Sequence, residues 1–519
     1  MKTTTNLLGA IALGAGLGAG MASAQTLTIG LPTAPTSMDP LFQQIGSNHE
    51  ITIHAYDTLI FMDELMNPFP GLALSWEPMD NPEIWEIRLR PGVSFHNGAP
   101  FGAEDVAFSM RRALDVPGAP STYSRALANV DVGKTEVVDD LTLRVHTKGP
   151  FPLLPRMLSN LPIVSREIGE GAPPSGFNDG TLAFGTGPYK FDRYIPGDRA
   201  IFVANPDFWG DAPVWERVVM RFIESGPTRV AALLAGDVDV IREVPTIDVS
   251  GLEANPNVNV GCAPSNRLIH WAMDVTREFA DHITAKDGSA ITNPLRDVRV
   301  RQAINMAIDR DIIVNSVMNG LAIPTNQFVP EGFGGWTPKV EIPEADLVTA
   351  RRLMDEAGYG DGFRMTIHAT NDRYVNDAQQ AQAVAQMLAR IGIEVEVVTA
   401  PVAGFFDRAR GREFTFMMVG FGATSGEASS IMNPVLASGS INNYGDWENE
   451  EFNRLFRAAL TTVDPTEHAR LLEESIVVAM ADVPIIPTHN QVVCWGARQG
   501  LSMTPYSDEY TRANAFRPE

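Results

Sequence analysis

Residues 377–397 read DAQQAQAVAQMLARIGIEVEV and contain two kinds of hydrophobic periodicity in succession. An acidic start and a one-sided apolar stripe predict a helix over residues 377–391, which Gly392 ends. Residues 393–397 then alternate between apolar and acidic side chains, as a strand with one solvent-exposed face does. A helix followed directly by a strand is typical of α/β proteins.

The same alternation continues along most of the sequence. Residues 27–30 and 85–90 predict strands, and we expect the second, closed by a Pro91-Gly92 turn, at the solvent edge of a hairpin. Apolar stripes predict helices at residues 103–114, 297–317 and 344–357. No internal repeat of solenoid or propeller length occurs. The sequence therefore predicts an α/β fold.

Composition limits the partners and the size class. The 519 residues suggest about three domains, and 63 acidic against 40 basic residues give a formal charge of -23. This charge argues against nucleic acid and anionic membrane surfaces as partners. Two cysteines are too few for a disulfide scaffold or a four-thiolate metal site.

The first 24 residues have the pattern of a secretory signal peptide. Lys2 precedes an apolar, glycine-rich stretch at residues 7–20, and Ala22-Ser23-Ala24 supplies a small-x-small cleavage site. No cysteine lies near the cut, so we expect no lipid anchor. No later stretch is long and apolar enough for a membrane helix. We therefore expect a soluble, periplasmic mature protein that starts near Gln25.

The catalytic patterns of exported hydrolases do not hold up. His49 and His54 are separated by five residues, so they do not share a helix face as a zincin pair does. Residues 422–426 imitate a nucleophile elbow but place Thr424 where serine should stand. We expect no catalytic residue, metal or cofactor. A secreted hydrolase of peptides or glycans stays as the alternative, because 63 acids offer many chance carboxylate pairs.

Several short motifs occur in a fixed order behind the signal peptide. They are SMDP at 37–40, WEIRLRPGVSFHNG at 85–98, GTGPY at 185–189, NPDFW at 205–209, AGDVD at 235–239 and DVRVRQAINMAIDR at 297–310. Read locally, most of them are scaffold, and Gly185-Thr-Gly-Pro188 predicts a tight structural corner. From about Leu27 to its end, the sequence resembles the family 5 extracytoplasmic solute-binding proteins of ABC importers, the dipeptide, oligopeptide and nickel-binding group.

The resemblance implies a two-lobed periplasmic-binding-protein fold of the cluster C type. Lobe one would comprise residues 25–58, 182–266 and 490–519, with an extra subdomain at 59–181, and lobe two residues 267–489. Such a protein is not an enzyme: it encloses a peptide-like or other small polar solute between its lobes and delivers it to a membrane permease. We expect a monomer. Opines, short saccharides and chelated metal stay open as ligands.

The resemblance also indicates ligand-binding residues. In lobe one, a polar loop would offer backbone groups to an extended ligand; it consists of Gln44, Ile45, Gly46, Ser47 and Asn48. In lobe two, the loop at residues 420–427 matches one whose aspartate pairs with a peptide ammonium, and here that position is Thr424. A hydroxyl does not neutralise an ammonium, so ordinary peptide capture is in doubt unless Glu427 substitutes.

The remaining candidates lie beside these loops. Ser425 belongs to the same lobe-two loop, and Phe421 stands where tryptophan is common in the family, so it either stacks on the ligand or only packs. Arg267 lies at the expected lobe crossing, where it either binds a carboxylate or is a solvated hinge arginine. Cys262 and Cys494 lie on the two expected hinge segments. There they either form a disulfide or remain as two buried thiols.

Overall fold

The computed structural model describes residues 25–120 and 123–519, so the predicted signal peptide lies outside the described residues. The strands are β1 (Thr26–Leu31), β2 (Ile60–Met62), β3 (Pro68–Pro70), β4 (Ala73–Pro78), β5 (Ile84–Leu89), β6 (Glu136–Asp139), β7 (Thr142–His146), β8 (Tyr189–Ile195), β9 (Arg199–Ala204), β10 (Arg217–Phe222), β11 (Val240–Arg242), β12 (Val258–Met273), β13 (Ile283–Thr284), β14 (Ala322–Pro324), β15 (Arg364–Thr370), β16 (Glu394–Ala400), β17 (Phe416–Gly422), β18 (Ile485–Arg498), β19 (Leu501–Met503) and β20 (Phe516–Pro518).

The helices alternate with these strands. They are α1 (Gly46–Thr52), α2 (Ala103–Leu114), α3 (Tyr123–Ala126), α4 (Leu154–Leu158), α5 (Arg166–Gly169), α6 (Pro174–Asn178), α7 (Gly226–Ala235), α8 (Thr246–Glu253), α9 (Val298–Ala307), α10 (Arg310–Ile312), α11 (Leu347–Glu356), α12 (Asp377–Ala389), α13 (Phe405–Arg410), α14 (Ser429–Leu436), α15 (Glu450–Thr461) and α16 (Pro465–Asp482). Within the described ranges, no helix combines the length and apolar character needed to cross a bilayer.

One sheet of 12 strands forms the backbone of the molecule. Its order is β13-β15-β17-β12-β18-β11-β1-β10-β9-β8, with β14 beside β18 and β16 beside β15. A separate four-stranded sheet has the order β4-β5-β7-β6. The prediction that residues 85–90 form a solvent-edged strand is therefore wrong: β5 pairs on both sides, and Trp85, Ile87 and Leu89 are buried.

Two large hydrophobic cores lie on either side of the central strands. The second core draws its residues from positions 268–486, with one exception, Met66. The first core comes from positions 27–220 together with a few residues around 240, 263 and 493–516. Among the elements that the structure describes, only β12 and β18 carry residues of both cores, because each of these long strands runs through the central sheet. The molecule thus has two bodies joined by a pair of antiparallel strands.

The two cysteines form a disulfide between these strands. Cys262 on β12 and Cys494 on β18 are directly opposite each other in the ladder, with Cα atoms 4.1 Å apart. Of the two states that the sequence left open, the disulfide is the one present. The alternative of two buried thiols is wrong. It also misjudges burial, since Cys262 is exposed while Cys494 is buried.

Most helices lie where the periodicity predicts them, and one does not. The helix α2 covers residues 103–114 as predicted, and α11 starts late because Asp346 accepts hydrogen bonds from the amides of Val348 and Thr349. The single helix predicted at 297–317 is interrupted: α9 ends at Ala307, Ile308 has extended backbone, and helical backbone resumes at Arg310. Arg310, itself buried, donates to the carbonyls of Asn305 and Ile308, so its guanidinium caps the last turn of α9 and ends the helix.

Candidate functional site

The candidate site lies where β12 passes from one core to the other. The ladder between β12 and β18 is regular up to Pro264 and resumes at Leu268, with a register shift between them. Residues 265–267 therefore leave the ladder, as in a β-bulge, and their side chains are re-aimed. Ser265, Asn266 and Arg267 accordingly stand at the junction of the two bodies.

An ion pair bridges the two bodies at this junction. The Arg267 guanidinium lies 3.7 Å from a Glu509 carboxylate oxygen, and about a quarter of each side chain is exposed, 25% and 24%. The Ser265 hydroxyl donates to the other carboxylate oxygen of Glu509 and accepts the backbone N–H of Arg267 at 3.0 Å. The Arg267 guanidinium and the Glu509 carboxylate thus both remain partly accessible to solvent at the junction.

The first-core wall of the site consists of α1 and the C-terminal segment at residues 506–512. The His49 and Tyr510 rings lie 5.0 Å apart, and a Cβ added at Gly46 would approach the Tyr510 ring to 3.5 Å. Behind them, Glu50 pairs with Arg242 at 2.7 Å. Burial raises the pKa of Glu50, although the Arg242 charge opposes this shift. This wall is therefore rigid and its inner charges are paired.

The polar loop expected at Gln44 to Asn48 is partly helical instead. Gly46, Ser47 and Asn48 form the first turn of α1, and the carbonyl of Ile45 accepts the amide of His49. The buried Asn48 side chain accepts the backbone N–H of Thr36 at 2.8 Å. The expectation of a free loop is wrong for these three residues. Gln44, Ile45 and Ser47 are half-buried, and Gly46 is exposed.

The second-core wall is the end of β17 together with Tyr374. The Tyr374 hydroxyl donates to the carbonyl of Gly420 at 3.3 Å, and the ring lies so close that Gly420 has no room for a Cβ. Phe421 is half-buried and packs against the second core. Because Arg267 pairs with Gly422 across β12 and β17, its charge stands at the foot of this wall.

The loop that follows β17 divides the predicted ligand residues into two groups. Thr424 is exposed, whereas Ser425 and Glu427 are buried, at 3% and 6% of their surface. The Glu427 carboxylate accepts from the Ser429 hydroxyl at 2.5 Å and lies 3.1 Å from His468 Nε2. Both oxygens of Glu427 are thus engaged inside the second body.

A latch of four residues, Met66, Arg156, Ser425 and Glu427, joins the two bodies beside the site. Met66, at the tip of the β2–β3 hairpin, has φ of 62° and is buried in the second core. Arg156 Nη1 donates to the carbonyls of Met66 and Ser425, each at 2.8 Å. Arg156 Nε also lies 3.9 Å from Glu427. The latch thus fixes the two bodies against each other at one end of the junction.

The buried Glu427–His468 pair provides the negative charge that Arg156 faces in the latch. Burial alone would lower the pKa of His468, but the hydrogen bond to Glu427 and the charge of Glu427 outweigh it, so the pKa is raised. Burial alone would raise the pKa of Glu427, but His468, Ser429 and Arg156 together lower it. The buried carboxylate is therefore held ionised, facing the Arg156 guanidinium.

Replacing Arg156 with alanine should loosen the latch. Two carbonyls lose a charged donor, which costs about 2–3 kcal/mol, so the ligand-free protein shifts toward a more open arrangement. Small-angle X-ray scattering should show a larger radius of gyration. The matched control is Arg166→Ala, since Arg166 is half exposed and pairs with Glu104 at 3.5 Å. Equal scattering from both variants would contradict this prediction.

Sequence reasoning found Arg267 but missed its partner and the latch. Glu509, Met66, Arg156 and Tyr374 belong to no pattern in their own segments, and only the fold brings them to the junction. In the part of the protein that the structure describes, no group of three or more His, Cys, Asp or Glu side chains is arranged to hold a metal ion.

Comparisons with known proteins agree on one family. The family described as bacterial extracellular solute-binding proteins, family 5 middle, matches residues 67–443. Heme-binding protein A of Haemophilus influenzae is 26% identical over 82% of this chain and 79% of its own. Glutathione-binding protein GsiB of Escherichia coli is 26% identical over 90% of this chain and 89% of its own. The solved structure of HbpA2 from Haemophilus parasuis has a TM-score of 0.84 and 24% identity, covering 95% of this chain and all of that one.

Proposed function

Because the chain belongs to the family 5 bacterial extracellular solute-binding proteins, we propose that it captures a peptide-like or other small polar solute between its two bodies. Members of this family are periplasmic substrate-binding components of ABC importers and not enzymes, so the solute is delivered to a permease. The observation that supports the proposal most is the partly exposed Arg267–Glu509 pair at the junction of two separate cores. A polar solute bound there would touch both bodies and stabilise their closure.

We propose that the two bodies are the lobes that the sequence predicts. We assign lobe one to residues 25–58, 182–266 and 490–519, its subdomain to 59–181 and lobe two to 267–489. This division is supported by the second core, which starts at Leu268 and ends at Ile486 apart from Met66. The separate sheet β4-β5-β7-β6 supports the subdomain. The small-x-small site at 22–24 supports cleavage before Gln25, and we propose an exported monomer without a lipid anchor.

We propose that three of the predicted residues contact the solute. Arg267 offers a guanidinium for a carboxylate, Phe421 offers a half-buried ring, and Thr424 offers an exposed hydroxyl. The segment from Gln44 to Asn48 would form part of the lobe-one wall. We assign Ser425 and Glu427 a different role, because both are committed to the latch and act on closure.

Charged solutes fit this junction better than neutral saccharides. An accessible ion pair that is covered by an uncharged ligand would lose solvent without gaining a charged partner. One curated relative is named for glutathione and another for heme, and both compounds carry carboxylates. Glutathione, a short peptide, is therefore the first solute that we would test. The hydrolase alternative has no supporting observation among the relatives.

Denaturing the purified exported protein and weighing the released solute by mass spectrometry tests the proposal. We expect about one equivalent of a small polar compound. Returning it to the emptied protein should raise the melting temperature, by an amount that corresponds to about 2.7 kcal/mol at one hundred times the dissociation constant, with no change in the compound. Inorganic sulfate at equal concentration is the control. Chemical conversion of the solute would contradict the proposal, as would an empty protein that responds to no solute.

A further inference from the structure

We propose that Glu509 is the residue that recognises a cationic nitrogen of the solute, and that the Arg267–Glu509 pair separates to receive a dipolar ligand. This inference rests on the proposed function and adds to it a specificity-determining residue in lobe one. The second-lobe loop offers no substitute: Thr424 is uncharged, and the Glu427 carboxylate is buried among His468, Ser429 and Arg156.

The Arg267–Glu509 pair is looser than its neighbours. Its closest N–O distance of 3.7 Å exceeds hydrogen-bond length, whereas Arg242–Glu50 measures 2.7 Å and Arg512–Asp508 measures 2.5 Å. Both tight pairs lie directly behind the site. Within each pair, the arginine and the carboxylate neutralise each other's charge. Glu509 and Arg267 are thus the charges at this junction that a ligand can engage at low cost.

The backbone holds Glu509 in place for such a role. Its φ of 69° lies in the left-handed region, which costs a non-glycine residue free energy and recurs at functional sites. Arg242 Nη1 donates to the Glu509 carbonyl at 3.2 Å, and the Glu509 amide donates to the carbonyl of Tyr506 at 3.1 Å. With one carboxylate oxygen bound to Ser265, the other points its charge toward Arg267.

Charge balance then determines the ligand class. An ammonium or amidinium group that binds Glu509 displaces Arg267, whose guanidinium is left needing an anion. A carboxylate on the same ligand supplies that anion, so every charge stays paired in the closed cleft. A purely anionic or purely cationic solute would leave one of the two side chains unpaired and desolvated, and a neutral solute would desolvate the pair without binding either charge. The preferred solute therefore carries a cationic nitrogen and an anionic group close together.

The test compares four probe classes by thermal shift and calorimetry on the emptied full-length protein. They are free dipeptides with glutathione, the same peptides N-acetylated, dipeptide amides with putrescine, and maltose. We expect only the free peptides to bind tightly. Glu509→Gln should weaken them at least about tenfold and abolish the preference for free over N-acetylated forms. Glu509→Asp, which keeps the charge, should restore part of that preference.

The control is Glu451→Gln, which removes the same charge from an exposed, arginine-paired side chain on α15 and should leave affinity unchanged. Equal binding of free and N-acetylated peptides, or a preference that survives in Glu509→Gln, would overturn the inference. Tight binding of maltose alone would overturn it while leaving the proposed function intact. Failure of every probe, together with the absence of any co-purifying solute, would overturn both.

Discussion

Replacing Arg112 with methionine should lower the free energy of unfolding by about 3–5 kcal/mol. Its guanidinium donates to both oxygens of Asp39, at 2.8 and 2.6 Å, and the two side chains are 5% and 0% exposed. The substitution leaves the Asp39 carboxylate buried without a charged partner. Since Arg112 lies on α2 and Asp39 precedes α1, the loss falls on the contact between α2 and the segment before α1.

Urea unfolding followed by tryptophan fluorescence measures this loss. The matched control is Arg88→Met, because Arg88 also pairs with a carboxylate, Glu86 at 3.3 Å, but 68% of its side chain is exposed. We expect that control to change stability by no more than about 1 kcal/mol. The double variant Asp39→Asn, Arg112→Met should lose less free energy of unfolding than the sum of the two single variants, because it no longer buries an unpaired carboxylate. Equal effects of Arg112→Met and Arg88→Met would refute the prediction.

Removing the disulfide should destabilise the protein by about 2–5 kcal/mol. The bond closes a loop with a sequence separation of 232 residues, for which the loop-entropy model gives about 5 kcal/mol. Residual structure in the unfolded chain reduces the entropy that the bond removes, so we expect less than this upper value. The double variant Cys262→Ser, Cys494→Ser should therefore melt at a lower temperature than the oxidised protein.

A reducing agent provides the second arm of this experiment. Because Cys262 is exposed, a phosphine reductant can reach the bond in the folded protein. It should lower the melting temperature of the wild type to that of the double variant, and it should leave the double variant unchanged. The expected stabilisation would be contradicted if the reductant released free thiols in the wild type but left its melting temperature unchanged.

Local periodicity predicts those elements that local forces determine. The helix α2 and the strand β16 were predictable because their apolar positions repeat within a few residues. The break at Ile308 was not, since it depends on Arg310 reaching back to carbonyls and across to Pro487 on β18. The interior position of β5 depends on pairing with β7, some fifty residues later in the sequence.

The glycines of the GTGPY motif have a structural role, as predicted, but for a reason other than the predicted tight turn. We expected its glycines to serve an unusual turn, but their backbone lies outside the left-handed region. A Cβ at Gly185 would stand 1.9 Å from the carbonyl oxygen of Ala55, and one at Gly187 would be 2.7 Å from the Ala55 carbonyl carbon. The glycines are required because two segments approach closely, which no local pattern reveals.

The same limit applies to the candidate site. Arg267 could be anticipated from its place at the lobe crossing, but its partner Glu509 lies in the C-terminal segment and carries no motif. Glu427 looked available as a ligand residue because its neighbours His468 and Arg156 come from distant helices. Side-chain roles that depend on tertiary contacts therefore needed the structure.

The cross-strand cystine also imposes an order on biosynthesis. Ribosomes make Cys262 first, and its partner follows only after 232 further positions have been polymerised. The Cys262 thiol must therefore stay unoxidised while the segment between the two cysteines is synthesised. Formation of the cross-strand bond is thus a late event in maturation, and oxidation of the Cys262 thiol to a sulfinic or sulfonic acid before that point would produce a molecule that cannot form it.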